Sequence, residues 1–379
     1  MLAASFGNYS LNLIEGQTSK NLTSFADFSS SFLIYVTILS ANRSIFAEGI
    51  RSNNFLGFRS KPFMNCLFEN SLVLMPISAI LIAFGNSQIK ILGIFLIPLV
   101  LHDNIRYMYI NENRIKLLLV IDFAWTVIFF LIFIFLYFTK ELTSLNVFLS
   151  WVFPTLLTVI FFGSKFTVNI EKSNFLKFPW MRANMINIKY SIFDYIFGSG
   201  LAQILILLAV LNGQSTNSSS LRICQLLLFP LVILHTVENL EKSDKAKLKT
   251  PPKILLQRDF NLKSMFLLSL VLGAFLLSIS APFINVFVPD NNGFNYTLLY
   301  SYTFFIILNS ILIPYFNIFK NTNNYRIIRE ARKYYLFSLG FFLILGQELP
   351  ELDRLVLLLG LSTIPMIFKF EIGRRRLLE

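Results

Sequence analysis

Residues 99–125 read LVLHDNIRYMYINENRIKLLLVIDFAW, and this stretch decides the fold class. It closes one apolar run, Ile91–Tyr109, and opens another, Leu117–Phe138, across a short polar turn carrying Arg114 and Lys116. A helix crosses the hydrocarbon of a bilayer in about 20 mostly apolar residues, close to the length of each run. Backbone N–H and C=O groups find no water there, so the chain must satisfy them within a helix. The stretch is a hairpin of two membrane helices. Three of its charges lie inside the helices rather than in the turn. Asp103 and Arg106 are three residues apart and share a helical face. Arg106 lies about one turn inside the end of its helix, and Asp122 about one turn inside the start of the next. At ~1.5 Å per residue both reach the same depth and can pair.

Composition extends this reading to the whole chain. The 379 residues are 55% hydrophobic and only 14% charged, with a mean hydropathy of +0.63. A soluble domain carries about 25% charged residues, so a soluble enzyme is excluded. Cys66 and Cys224 stand in separate apolar stretches without CxxC spacing, which supports neither a disulfide nor a metal site. The expected fold class is all-α, a polytopic membrane protein of about twelve transmembrane helices in two six-helix bundles. The apolar spans are Leu2–Glu15, Phe25–Ser44, Phe68–Gly85, Ile91–Tyr109, Leu117–Phe138 and Leu145–Gly163. The second set is Ser191–Asn212, Leu221–Glu238, Met265–Val288, Tyr296–Phe319, Tyr334–Leu345 and Leu355–Phe368. The first span is short and holds Asn8, Ser10, Asn12 and Glu15. Either neighbours shelter it, or the first helix is truncated and the sequence starts a few residues late. The late start is the preferred reading, because the apolar run begins at Met1.

Charge then sets the topology. The net charge is +12, and the basic residues sit in short connections between spans rather than in a nucleic-acid-binding patch. Twenty-eight of the 33 Lys and Arg fall on one side, leaving Lys20, Lys90, Lys140, Arg222 and Arg354 on the other. The positive-inside rule makes the basic side cytoplasmic and puts both termini there, in the cytoplasmic (inner) membrane. Between spans six and seven, Lys172, Lys177 and Arg182 mix with Phe175, Phe178, Trp180 and Met181. That pattern suits a helix lying in the interface, with its aromatics dipped and its amines among headgroups. The expected organisation is an N-terminal six-helix bundle at 1–164, a cytoplasmic or interfacial linker at 165–190, and a C-terminal bundle at 191–379.

Ionisable groups inside spans are costly, and each is a functional candidate. On the cytoplasmic side of the first half these are Arg43, Glu48, Asp103, Arg106 and Asp122. The plain reading is a static salt-bridge cluster, or snorkelling arginines, pinning helix ends. The sharper one is an inner gate whose arginines also attract an anionic headgroup, since guanidinium pairs two-pronged with phosphate. In the second half Arg222 stands at the outer mouth of its span, with Gln225 one turn deeper and Pro230 beyond it. Asp194, His235 and Glu238 are candidates for proton coupling, with helix capping the plainer role for Asp194. His235 and Glu238 supply two ligands where zinc needs three or four, so no metal is expected. No cofactor is expected either. Walker, GxSxG and HExxH motifs are absent and the outer loops are a few residues each, so the chain reads as a non-enzyme.

At these motifs the sequence resembles a known family. FADFSSSFLIYVTILSANRSIFAEGI (25–50), DNIRYMYINENRIKLLLVIDFAW (103–125) and LRICQLLLFPLVIL (221–234) are similar to stretches of polysaccharide-flippase-like proteins. These belong to the multidrug/oligosaccharidyl-lipid/polysaccharide exporter superfamily. Arg43, Glu48, Asp103, Arg106, Tyr107, Asp122, Trp125, Arg222, Gln225 and Pro230 match the family pattern. Gly49 and Ile50 depart from its Pro-Leu, and Phe229 from its Gly. The resemblance implies two bundles around a cavity, working by alternating access. It implies a flippase for a lipid-linked oligosaccharide or polysaccharide, with glycan-assembly enzymes as partners. The alternatives are an ion-coupled small-molecule exporter of the same fold and a non-transporting membrane partner of a glycan-assembly complex. A major-facilitator transporter fits less well, because GIRSNNFLGFRSKPF (49–63) lacks the expected Asp.

Overall fold

Apolar runs bounded by polar turns fold here as antiparallel helices. The computed structural model describes residues 2–19, 22–47, 61–111, 114–163, 178–196, 200–212, 215–231, 262–288, 293–321, 324–345 and 351–378. They fall into two compact units, Met1–Gly200 and Leu201–Glu379. Among the described residues all regular structure is helical.

The first unit contains α1 (Leu2–Ser19), α2 (Leu22–Asn42), α3 (Lys61–Phe84), α4 (Ser87–Asn111), α5 (Ile115–Phe138) and α6 (Ser144–Gly163). Two shorter helices complete it, α7 (Pro179–Ala183) and α8 (Met185–Tyr195), and a π-helical turn, Arg43–Ala47, continues α2. The hairpins are tight because their turns are capped. Asn86 Oδ1 accepts the Ile89 N–H at 2.9 Å to start α4, and Thr143 Oγ1 accepts the Asn146 N–H at 3.2 Å to start α6. Gly93 lets α3 and α4 nearly touch, since a Cβ there would lie 2.8 Å from Ile82 Cγ1. The core is aromatic: Tyr35 of α2 stands edge-on to Trp151 of α6 at 5.2 Å, and Trp125 of α5 closes on Trp151 at 6.4 Å. Phe123, Leu131, Phe135 and Phe138 of α5 face outward at 60–78% exposure. Only a lipid surround suits a helix so apolar on its open side.

The second unit contains α9 (Leu201–Asn212), α10 (Ser215–Leu227), α11 (Leu262–Ser278), α12 (Ser280–Phe287), α13 (Tyr296–Asn321), α14 (Tyr325–Leu345) and α15 (Leu352–Leu378). Helix α15 packs along both α13 and α14. Phe370 lies between Tyr315 and Phe319 of α13 at 5.6 and 5.4 Å, and a Cβ on Gly373 would meet Ile327 Cγ2 at 2.8 Å.

Six helices among the described residues are long and apolar enough to cross a membrane, and α11 with α12, bent by 59° at their junction, pass the same test only when taken together. The chain is a multi-pass membrane protein. Several helices outrun their apolar spans: α1 reaches Ser19, α14 starts at Tyr325 instead of Tyr334, and α15 runs ten residues past Phe368. Hydropathy marks where a helix leaves the hydrocarbon, whereas the hydrogen-bond ladder continues into the polar layer. Within the stretch read as one span, Ser191–Asn212, α8 ends at Tyr195 and α9 starts at Leu201, and residues 197–199 between them lie outside the described residues. Trp180 departs from its expected place in the interface. It is buried, stacked on Phe46 at 5.4 Å beside Cys66 and Met108.

Candidate functional site

One end of the first unit carries a chain of four charges. The π-helical turn swings Arg43 toward α4, where its Nε and Nη2 donate to the two oxygens of Asp103 at 2.9 and 2.7 Å. Arg106, one turn along α4, donates from Nε and Nη2 to the two oxygens of Asp122 on α5 at 2.6 and 3.1 Å. Its Nη1 stands 3.6 Å from Asp103 Oδ1 and joins the two pairs. The Asp103 and Asp122 side chains are 4% and 0% exposed, and that of Arg43 is 39% exposed. Burying two carboxylates this deep is costly, and each is compensated by a fork of guanidinium N–H groups. The Arg43 guanidinium also lies 5.6 Å from the Tyr107 ring centroid.

An amide ladder supports the same helices. Asn70 of α3 donates to Asn42 Oδ1 at 2.7 Å, and Asn42 donates to Asn104 Oδ1 at 3.0 Å. All three are buried. The ladder ties α3, α2 and α4 at the residue before Arg43 and the residue after Asp103. Glu69 does related work. Its oxygens accept the backbone N–H groups of Trp180 and Met181, both at 2.8 Å, so a buried carboxylate caps the first turn of α7 and docks the segment onto α3.

At the opposite end of this unit, Glu15 of α1 is fully buried and accepts a hydrogen bond from Ser144 Oγ of α6. Ser144 in turn accepts one from Gln88 of α4 at 2.5 Å. Glu15 was read from sequence only as a blemish in a weak span; its neighbours lie 73 and 129 positions away, so only the fold could reveal them.

The second unit holds Arg222 and Gln225 on α10. Arg222 is buried and donates from Nη1 to Gln225 Oε1 at 2.9 Å. Helix α10 ends at Leu227, and Pro230 follows three residues later. Asp194 lies on α8 with its side chain outside the described residues, and Glu48, His235 and Glu238 lie outside them altogether. Among the described residues no three His, Cys, Asp or Glu stand together as metal ligands.

No protein-family model matches the chain, and no curated protein matches its sequence. Solved structures do. An inward-facing multidrug-resistance MATE-family transporter of the MOP superfamily superposes with a TM-score of 0.65 at 12% identity, covering 98% of this chain and 94% of its own. The lipid II flippase MurJ, in an inward closed conformation, gives 0.65 at 11% identity, covering 98% of this chain and 86% of its own. A MATE transporter in its outward-facing conformation gives 0.57 at 12%, over 99% and 93%. These neighbours are transporters and flippases, and the chain has the fold that they share.

Proposed function

We propose that the protein is a flippase that carries a lipid-linked oligosaccharide or polysaccharide across the cytoplasmic membrane by alternating access. The observation that carries this reading is the buried charge chain Arg43–Asp103–Arg106–Asp122, set in a fold shared with a lipid II flippase. Four charges are expensive to keep inside membrane helices, and a chain of forked pairs has discrete made and broken arrangements. In this reading Arg106, held between two carboxylates, serves as a clasp. Arg43, open on one side, and Arg222 receive the anionic headgroup as the twelve-helix, two-bundle molecule rocks. Both termini and the 28 basic residues face the cytoplasm, where glycan-assembly enzymes hand over substrate.

A second reading has its own observation. Buried Glu15, bonded to Ser144, is a site where a proton can be held within the membrane, which suits an ion-coupled small-molecule exporter. One preparation separates the two. The purified chain in vesicles is given a fluorescent polyprenyl-diphosphate oligosaccharide, or ethidium under a pH gradient. Appearance of the labelled glycan on the far leaflet without ethidium extrusion is expected. Ethidium extrusion alone makes the protein the exporter, and movement of neither leaves the non-transporting membrane partner. Topology is tested in cells, where an impermeant maleimide should label a Cys placed at Asn217 or Asn292 and miss one at Ser243. Native Cys66 and Cys224 are buried and leave little background. The reverse pattern inverts the orientation.

A further inference from the structure

Helix α14 has two faces along its whole length. Ile328, Ala331, Tyr335 and Leu339 are buried at spacings of three and four, which points one side into the unit. The other side changes character. Arg326, Arg329 and Lys333 are exposed over its first turns, and Phe337, Phe341 and Ile344 continue the same stripe at 78, 53 and 78% exposure. The antiparallel neighbour α15 makes the same change at the same end: Phe368 and Ile372 are exposed, and Arg375 and Arg376 follow them. The two helices meet there, because Lys369 of α15 lies 3.1 Å from Glu330 and 5.3 Å from the Tyr334 ring centroid of α14.

We propose that this end of α14 and α15 is a binding site for an anionic phospholipid of the adjoining leaflet, distinct from any transported lipid. The apolar stripe takes an acyl chain, and the cationic stripe takes the phosphodiester. Geometry fits the division. Lys333 to Phe337 is one turn, about 6 Å, and Arg326 lies about 10 Å further out, spanning the headgroup layer. Charge fits it too. Residues 325–333 and 369–376 hold eight cations and only two carboxylates, Glu330 and Glu371. Both carboxylates are already engaged, Glu330 by Lys369 and Arg326, Glu371 by Arg374 and Arg375. Lys369 beside Glu330 holds that carboxyl below its ordinary range, so it stays bound to its neighbours. What remains exposed is cationic, and basic clusters beside membrane helices attract anionic headgroups. The inference needs no particular substrate and stands apart from the flippase reading.

The test reads lipid selectivity. The full-length protein is reconstituted in vesicles of equal phosphatidylglycerol and phosphatidylcholine with matched chains, re-extracted mildly, and its retained lipid measured. Wild type should retain the anionic lipid at least about fivefold over its neutral counterpart. Exchanging Arg326, Arg329 and Lys333 together for Gln should bring the ratio below about twofold, at an unchanged melting temperature. Exchanging Arg326 and Arg329 for Lys should preserve it, as should Lys90→Gln with Lys140→Gln at exposed positions in the first unit. Undiminished selectivity in the triple Gln variant overturns the proposal. So does a dimer that Phe337→Glu dissolves, since a second copy would then cover this face.

Discussion

Arg106→Ala should be the most damaging single substitution in the first unit, lowering stability by about 3–5 kcal/mol and the melting temperature by on the order of 10 °C. It takes both forked hydrogen bonds away from Asp122, whose side chain is fully buried. Asp122→Ala should cost a similar amount by leaving the guanidinium without its second carboxylate. Arg106→Lys should fall between, because an ammonium cannot make the parallel pair of bonds. Removing both charges, Arg106→Met with Asp122→Leu, should recover much of the loss, since a buried pair exchanged for apolar groups of similar volume is often close to neutral. The charge exchange Arg106→Asp with Asp122→Arg should recover less, because it sets a carboxylate one turn from Asp103. Thermal unfolding in detergent and membrane abundance measure all five. If neither double variant is better than the singles, the pair is not what holds α4 to α5.

Arg222→Gln should lower translocation of the labelled glycan by about ten- to a hundredfold while abundance stays near wild type. That range corresponds to losing one charge-assisted hydrogen bond to a phosphate, about 1.5–3 kcal/mol. Gln retains hydrogen-bonding capacity toward Gln225 but removes the charge. Arg222→Lys should restore part of the rate, because it returns a point charge without the fork. Normal translocation by Arg222→Gln at normal abundance would show that the residue serves α10 and not the substrate. A collapse in abundance without one in rate per molecule would say the same.

How far the sequence can be read follows from the range of each interaction. The α4–α5 hairpin was legible because Arg106 and Asp122 are local: a short turn and a fixed rise per residue put them at one depth. The partner of Arg43 was not. Depth alone grouped it with Glu48, Asp103, Arg106 and Asp122, and only the fold shows that it takes Asp103, sixty positions along the chain. Trp180 looked like an interfacial aromatic because basic residues flank it; its burial depends on Glu69 and Phe46, contributed by α3 and the π turn. Asn42, Asn70 and Asn104 come from three helices, and only folding assembles them into a ladder. Glu15 shows the same limit from the other end of the unit. Span boundaries slipped where hydropathy and helix geometry part company, at the charged starts and ends of α14 and α15.

The π-helical turn also bears on how this chain can vary in length. A π turn holds one residue more than an α turn, so Arg43–Ala47 works as an inserted residue kept in the helix. Asn42 before it is committed to Asn70 and Asn104, and Phe46 within it to Trp180. Deleting one residue there would restore α periodicity and turn Phe46 about 100° against α2. Either Arg43 would leave Asp103 or Phe46 would leave Trp180. A gap that a surface loop would absorb is thus barred at this point, and a deletion scan should find its sharpest loss of folded protein between Ser40 and Ala47.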